Sequence, residues 1–127
     1  MLNTSNFFSL VKLGYLSKKN IIQIKRTKFH LLLLKKLYIL GYIRGFNLNS
    51  ESLYKFDLFL KYYKNKPLIK DVNFVISTSK VFHSKVKKIK KQLAYSYLLV
   101  VFSTSKGLLT SIECVIYNTG GILAFIF

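Results

Sequence analysis

Ser103-Thr104-Ser105-Lys106-Gly107 gathers the chain's best-placed polar chemistry into five consecutive residues. Three hydroxyls, several backbone N–H groups and one ammonium stand together without a carboxylate, a donor set suited to phosphate and ribose oxygens. Catalytic uses of the same residues fail on what is missing around them. Ser103-x-x-Lys106 has the outline of a serine acyl-transfer motif, but the Ser-Asp-Asn and Lys-Thr-Gly elements that complete such a site are absent. A Walker-type phosphate loop needs an upstream glycine that this stretch lacks. His30 and His83 have no second histidine or cysteine at ligand spacing, so neither a metal nor any other cofactor is expected. Glu51, Asp57, Asp71 and Glu113 fall on different elements, which leaves no acid–base pair and no catalytic residue to assign. The chain reads as a binding protein, not an enzyme.

The elements that must position this pentapeptide follow from the pattern on either side. Leu98-Leu99-Val100-Val101-Phe102 is a short apolar run that reads as a buried strand, with the pentapeptide as the exposed loop after it. Thr110-Ser111-Ile112-Glu113 is a capping-box pattern; it starts a helix that Gly120-Gly121 ends. Ile122–Phe127 then forms a closing strand, whose Ala124–Phe127 portion serves either the core or a protein interface. Upstream, Leu68–Ile76 reads as a strand and Lys85–Leu93 as a short helix, with Val86, Ile89 and Leu93 aligned and five lysines around them.

Nearer the N-terminus, Asn6 caps a helix over Phe7–Ser17 with Phe7, Leu10, Val11 and Tyr15 at helical spacing. Ile22–Lys25 alternates as a strand, and Thr27 caps a helix over Lys28–Leu40. Phe29, Leu33, Leu37 and Leu40 make that helix's apolar face, and Gly41 sits where a C′ glycine belongs. Ile43–Leu48 and Leu53–Tyr62 form a hairpin; Phe56, Leu58, Leu60 and Tyr62 share one face of its second strand. Tyr63–Pro67 breaks the pattern with the only proline, and the lobe boundary is placed there. The expected architecture is α+β in two small lobes: residues 1–66 in the order α-β-α-β-β, and 67–127 mainly β with short helices.

Charge narrows the partner. Twenty-one Lys and Arg face four acids, a formal net charge of +17 in 127 residues. Self-repulsion on that scale calls for a polyanion, most commonly nucleic acid, and the 51% apolar content argues against global disorder. A single cysteine, Cys114, rules out an intramolecular disulfide. No uninterrupted apolar stretch reaches the ~18 residues of a membrane span, and Met1–Ser9 lacks a basic n-region and cleavage site. Abundant Lys, Asn, Ile, Phe and Tyr match the codon bias of an AT-rich genome. Together these point to a protein made inside an organelle, a mitochondrion first, with a plastid or bacterial cytoplasm as the alternative. The rival reading from another class is a basic membrane-surface protein anchored through the Lys28–Leu40 helix.

In order along the chain, Ser103–Gly107, Thr110 and Gly120-Gly121 resemble the signature of the small-subunit ribosomal protein eight family. Leu60-Lys61-Tyr62-Tyr63 is similar to that family's Leu-Lys-Tyr-Phe, Gly41-Tyr42-Ile43 to its Gly-Phe-Ile, and Thr27-Lys28 to its Ser/Thr-Lys. Departures are Lys25 for a proline, Asn118 for a glycine, Ile122 for a glutamate, and a 79–84 segment without Pro, Gly or Tyr. No contact is carried onto 79–84 or Ile122. The resemblance implies a two-lobed α+β fold that binds a helix in the central domain of small-subunit rRNA early in assembly. It also implies neighbouring small-subunit proteins as partners, with no membrane and no small-molecule substrate.

On that resemblance, Ser103, Thr104 and Ser105 contact phosphate and 2′-OH groups across a shallow minor groove, and Lys106 neutralises phosphate. Gly107 lets the backbone approach closely. Gly120 and Gly121 either bring amides near RNA or only terminate the helix. Arg26, Thr27 and Lys28 meet a second rRNA strand at a helix N-terminus, although capping alone accounts for Thr27. The Lys85–Lys91 cluster meets phosphate without sequence preference.

Overall fold

The computed structural model describes residues 2–69, 73–74, 83–95 and 99–126. It divides into an N-terminal unit, Leu2–Asp71, and a C-terminal unit, Val72–Phe127. The sequence-based boundary after Lys66 lies on a two-residue strand.

In the N-terminal unit, helix α1 (Leu2–Leu16) leads into strand β1 (Ile21–Lys25), helix α2 (Lys28–Ile39) and strands β2 (Ile43–Leu48) and β3 (Lys55–Leu60). This is the expected α-β-α-β-β order, extended by a small hairpin of β4 (Tyr62–Tyr63) and β5 (Lys66–Pro67). The antiparallel sheet runs β1-β3-β2, with β3 in the middle. Phe56, Leu58 and Leu60 alternate inward from β3, as the period-2 pattern requires, beneath Phe7 and Val11 of α1 and Leu33, Leu34 and Leu37 of α2, all buried. An Asx arrangement closes β2 to β3: Asn49 Oδ1 accepts from the N–H of Glu51 and Ser52 at 2.8 and 2.9 Å, while its Nδ2 donates to Asp57 at 2.7 Å.

Two details differ from the sequence reading. α1 starts at Leu2, so Asn6 lies inside the helix and caps nothing; no Gly or Pro interrupts residues 2–13 to stop the helix growing backwards. The α2 face is rotated: His30, Leu33, Leu34 and Leu37 are buried, while Phe29 and Leu40 are only partly covered. His30 can go inside because its Nδ1 lies 2.7 Å from the Lys25 carbonyl, which satisfies the polar edge of the ring.

The C-terminal unit contains strands β6 (Asn73–Phe74) and β7 (His83–Ser84), helix α3 (Val86–Tyr95), strands β8 (Val100–Thr104) and β9 (Gly107–Thr110), helix α4 (Ser111–Ile116) and strand β10 (Gly121–Ile126). β10 is central, with β8 on one side and β6 and β7 on the other; β9 pairs outside β8. Its core is Ile89, Phe102, Leu109 and Cys114. Most of the expected Leu68–Ile76 strand, residues 79–82, Leu98 and Phe127 lie outside the described residues. Among the described residues, no helix is long and apolar enough to cross a membrane and no group of His, Cys, Asp and Glu could hold a metal ion.

The Thr110 capping box forms as read, with Glu113 Oε2 accepting the Thr110 N–H at 2.8 Å. The helix end does not. α4 closes at Asn118, whose φ of 51° is left-handed, with the N–H groups of Asn118 and Thr119 bonded to Val115 and Cys114 carbonyls. This is a Schellman close, and Asn is the residue after Gly that tolerates its C′ position. Gly120-Gly121 is therefore freed for another role.

Candidate nucleic-acid interface

The pentapeptide is a β-hairpin, not the loop expected from sequence. β8 continues through Ser103 and Thr104, which pair with Leu108 and Gly107, so Ser105 and Lys106 alone make the turn. Neither turn residue has positive φ, whereas Gly107 has φ +105°. That is the pattern of a type I turn closed by a glycine bulge, and it assigns the strained backbone to the one residue that adopts it freely. The second strand holds because Leu109, directly opposite Phe102, reaches the core.

Pairing changes which groups face outward. The Thr104 hydroxyl donates to the Gly107 carbonyl at 2.9 Å and accepts from the Lys106 N–H at 3.2 Å, so it braces the turn from within. Ser103, Ser105 and Lys106 remain exposed. Strand partners take up backbone groups that an open loop would have left for a ligand. The side-chain groups left facing outward are two hydroxyls and an ammonium.

Gly121 meets this hairpin directly, and Gly120 meets the Ser84-Lys85 segment beside it. Gly121 pairs with Ser84, and the next residue, Ile122, pairs with Ser103. A Cβ on Gly121 would stand 2.6 Å from the Ser103 carbonyl oxygen and 2.7 Å from Thr104 Cγ2. On Gly120 it would stand 2.6 Å from the Ser84 carbonyl oxygen. Both glycines exist so that three backbone segments can close on one another. Sequence reasoning missed the third of these segments, Ser84-Lys85. The pair of glycines was its only signal, since close backbone approach demands an unseen neighbour.

The field around the hairpin is uncompensated. No carboxylate occurs in the sequence between Asp71 and Glu113, and Glu113 is turned into its helix cap, accepting from both the N–H and the hydroxyl of Thr110. Lys85, Lys87, Lys88, Lys90 and Lys91 on and beside α3 are all exposed in the same unit. A surface with fixed donors and one sign of charge concentrates polyanions.

Arg26, Thr27 and Lys28 belong to the N-terminal unit. Thr27 is the α2 N-cap, its Oγ1 accepting from the His30 N–H at 3.0 Å. The exposed Arg26 donates from Nη1 to the Leu53 carbonyl at 3.2 Å, and Lys28 is exposed on the first turn. Local structure fully employs Thr27, and only Arg26 and Lys28 present charge outward.

The family model described as Ribosomal protein S8 matches residues 3–127. Small ribosomal subunit protein uS8m of Acanthamoeba castellanii is 33% identical over 118 residues, covering 92% of this chain and 91% of that protein. Small ribosomal subunit protein uS8c of Tupiella akineta is 31% identical over 119 residues, 92% of this chain and 90% of its own. Small ribosomal subunit protein uS8 of Rhodospirillum centenum is 26% identical over 114 residues, 87% and 85% of the two chains. With a hairpin carrying the Ser-Thr-Ser-Lys-Gly signature, Gly121 of the double glycine packed against it, and a family match across residues 3–127, the chain belongs to the ribosomal protein S8 family.

Proposed function

We propose that this protein is a non-enzymatic, structural constituent of a small ribosomal subunit, binding a helix in the central domain of the rRNA and holding it during assembly. The observation that carries the reading is the exposed Ser103, Ser105 and Lys106 on a hairpin held by Gly121, in a unit whose one carboxylate after Asp71 is spent on a cap. Hydroxyls meet phosphate and 2′-OH groups across a shallow minor groove, and lysine neutralises phosphate. Gly120 and Gly121 bring the backbone of Ser103–Thr104 and Ser84–Lys85 into one rigid contact surface. Arg26 and Lys28 add phosphate contacts from the N-terminal unit. Neighbouring small-subunit proteins complete the partner set.

The compartment we favour is the mitochondrion, on the AT-rich composition and the similarity to a uS8m protein; similarity to a uS8c and a bacterial uS8 makes plastid and bacterial ribosomes the alternatives. The membrane-anchor reading loses support because Leu33, Leu34 and Leu37, the residues α2 would insert, are buried in the N-terminal core.

Affinity for a matching rRNA helix and for an unrelated duplex tests the reading. The S103A/S105A double variant loses affinity for the matching helix well beyond its loss for the unrelated one, and log affinity falls against log salt by about 0.7–0.9 per phosphate neutralised. Equal losses on both RNAs refute a specific role for the hairpin.

A further inference from the structure

Lys106 is not a loose ammonium. Its Nζ lies 5.5 Å from the centroid of the Tyr117 ring, within cation–π range. Tyr117 is the α4 C-cap residue, 53% exposed, and its backbone is pinned from both sides: its own N–H bonds the Glu113 carbonyl at 2.9 Å, and the Schellman close follows immediately at Asn118 and Thr119. The ring therefore stands on a fixed support beside the Ser105–Lys106 turn. The ring is no part of the described core cluster of Ile89, Phe102, Leu109 and Cys114.

Resting on the rRNA-binding reading above, we infer that Tyr117 is a positioning residue for that contact: its ring holds the Lys106 ammonium at the hairpin tip, preordered to meet an RNA phosphate. A free lysine stem samples many rotamers and loses that freedom on binding. Laying it across a ring on a capped helix removes part of the loss beforehand, which is how preorganisation raises affinity. The attraction is to the ring quadrupole and not to the hydroxyl, so phenylalanine serves as well as tyrosine and leucine does not.

Two measurements test this. In the free protein, NMR detects the Lys106 Hε protons upfield of the other lysines through the Tyr117 ring current; Y117F keeps the displacement and Y117L abolishes it. In RNA binding, Y117L weakens affinity for the matching helix roughly two- to five-fold while Y117F binds as the native protein does. In a K106M background Y117L adds no further loss. Thermal melts of each variant keep changes in folding separate from changes in binding. Unshifted Lys106 protons, or losses from Y117L and K106M that simply add, overturn the positioning role; additive losses give Tyr117 an RNA contact of its own. If the native protein does not prefer the matching helix, the rRNA-binding reading fails and takes this inference with it.

Discussion

Two tight hairpins in this molecule solve the same problem in opposite ways. Between β4 and β5, Lys64 and Asn65 both have left-handed φ, at 49° and 61°, a type I′ turn that twists with its strands. Between β8 and β9, Ser105 and Lys106 keep ordinary backbone and Gly107 alone takes positive φ. Each turn carries a lysine over a tyrosine ring, Lys64 over its neighbour Tyr63 at 5.4 Å and Lys106 over Tyr117 at 5.5 Å. The first pair needs nothing beyond adjacency in sequence. The second joins a turn to the end of a helix, and the strands behind it close on Gly121. The difference lies in support: one hairpin is local, whereas the other is held by a helix end and by β10 and can present its side chains in a fixed arrangement.

The sharpest way to break that contrast is to remove the support. Gly121→Ala drives a methyl into the Ser103 carbonyl, and a cost of about 1–3 kcal/mol is expected in thermal or urea unfolding. Gly45→Ala in β2, where nothing lies within 4 Å of the new atom, stays within about 0.5 kcal/mol of the native protein. Equal effects would mean that the close approach at Gly121 is not tight in solution.

Exchanging the turn residues gives the next largest effect. Gly107→Ala forces a Cβ into the left-handed region and costs about 1–2 kcal/mol. Asn65→Gly relieves a similar conformation and leaves stability unchanged or raised by up to about 1 kcal/mol. Unfolding curves of the two variants should shift in opposite directions or not at all for the second.

Tyr15 offers a test confined to the N-terminal unit. Burial pushes its hydroxyl above the ordinary value of 10.0, and the hydroxyl donates to the Lys61 carbonyl at 3.2 Å. Because the folded state holds the proton more tightly than the unfolded chain, this stabilisation is full below pH 10 and is lost as pH rises through the folded value. Tyr15→Phe should flatten that alkaline decline and cost about 0.5–1.5 kcal/mol at neutral pH. An unchanged alkaline slope would show that other tyrosines carry it.

The smallest effects concern charge alone. Lys106→Met lowers the salt slope of rRNA binding by about 0.7–0.9, one phosphate contact, whereas Lys64→Met leaves the slope nearly unaltered. A like change from both would erase the distinction between the hairpins.

Sequence patterns exposed the parts of the fold governed by local rules. Thr27 and Thr110 cap their helices, Gly41 ends α2 at φ +79°, and β3 alternates as its apolar residues dictate. What stayed hidden depended on partners distant along the chain. β9 holds only Gly107–Thr110, too short for a period, and exists because β8 lies beside it. His30 looks polar until the Lys25 carbonyl reaches its ring. Gly120-Gly121 looks like a helix stop, since nothing local reveals that Ser84 and Ser103 press against it. Of the candidate contact residues, the Ser-Thr-Ser-Lys-Gly run was legible as a donor cluster; that Thr104 turns inward and Tyr117 stands by Lys106 required the fold.

The most direct test is a photo-crosslinking amino acid at Ser105 in assembled small subunits, with the adducts mapped. Attachment to nucleotides of one helix in the central domain is the predicted result. Crosslinks confined to protein, or a probe that reacts only with solvent, would contradict the account.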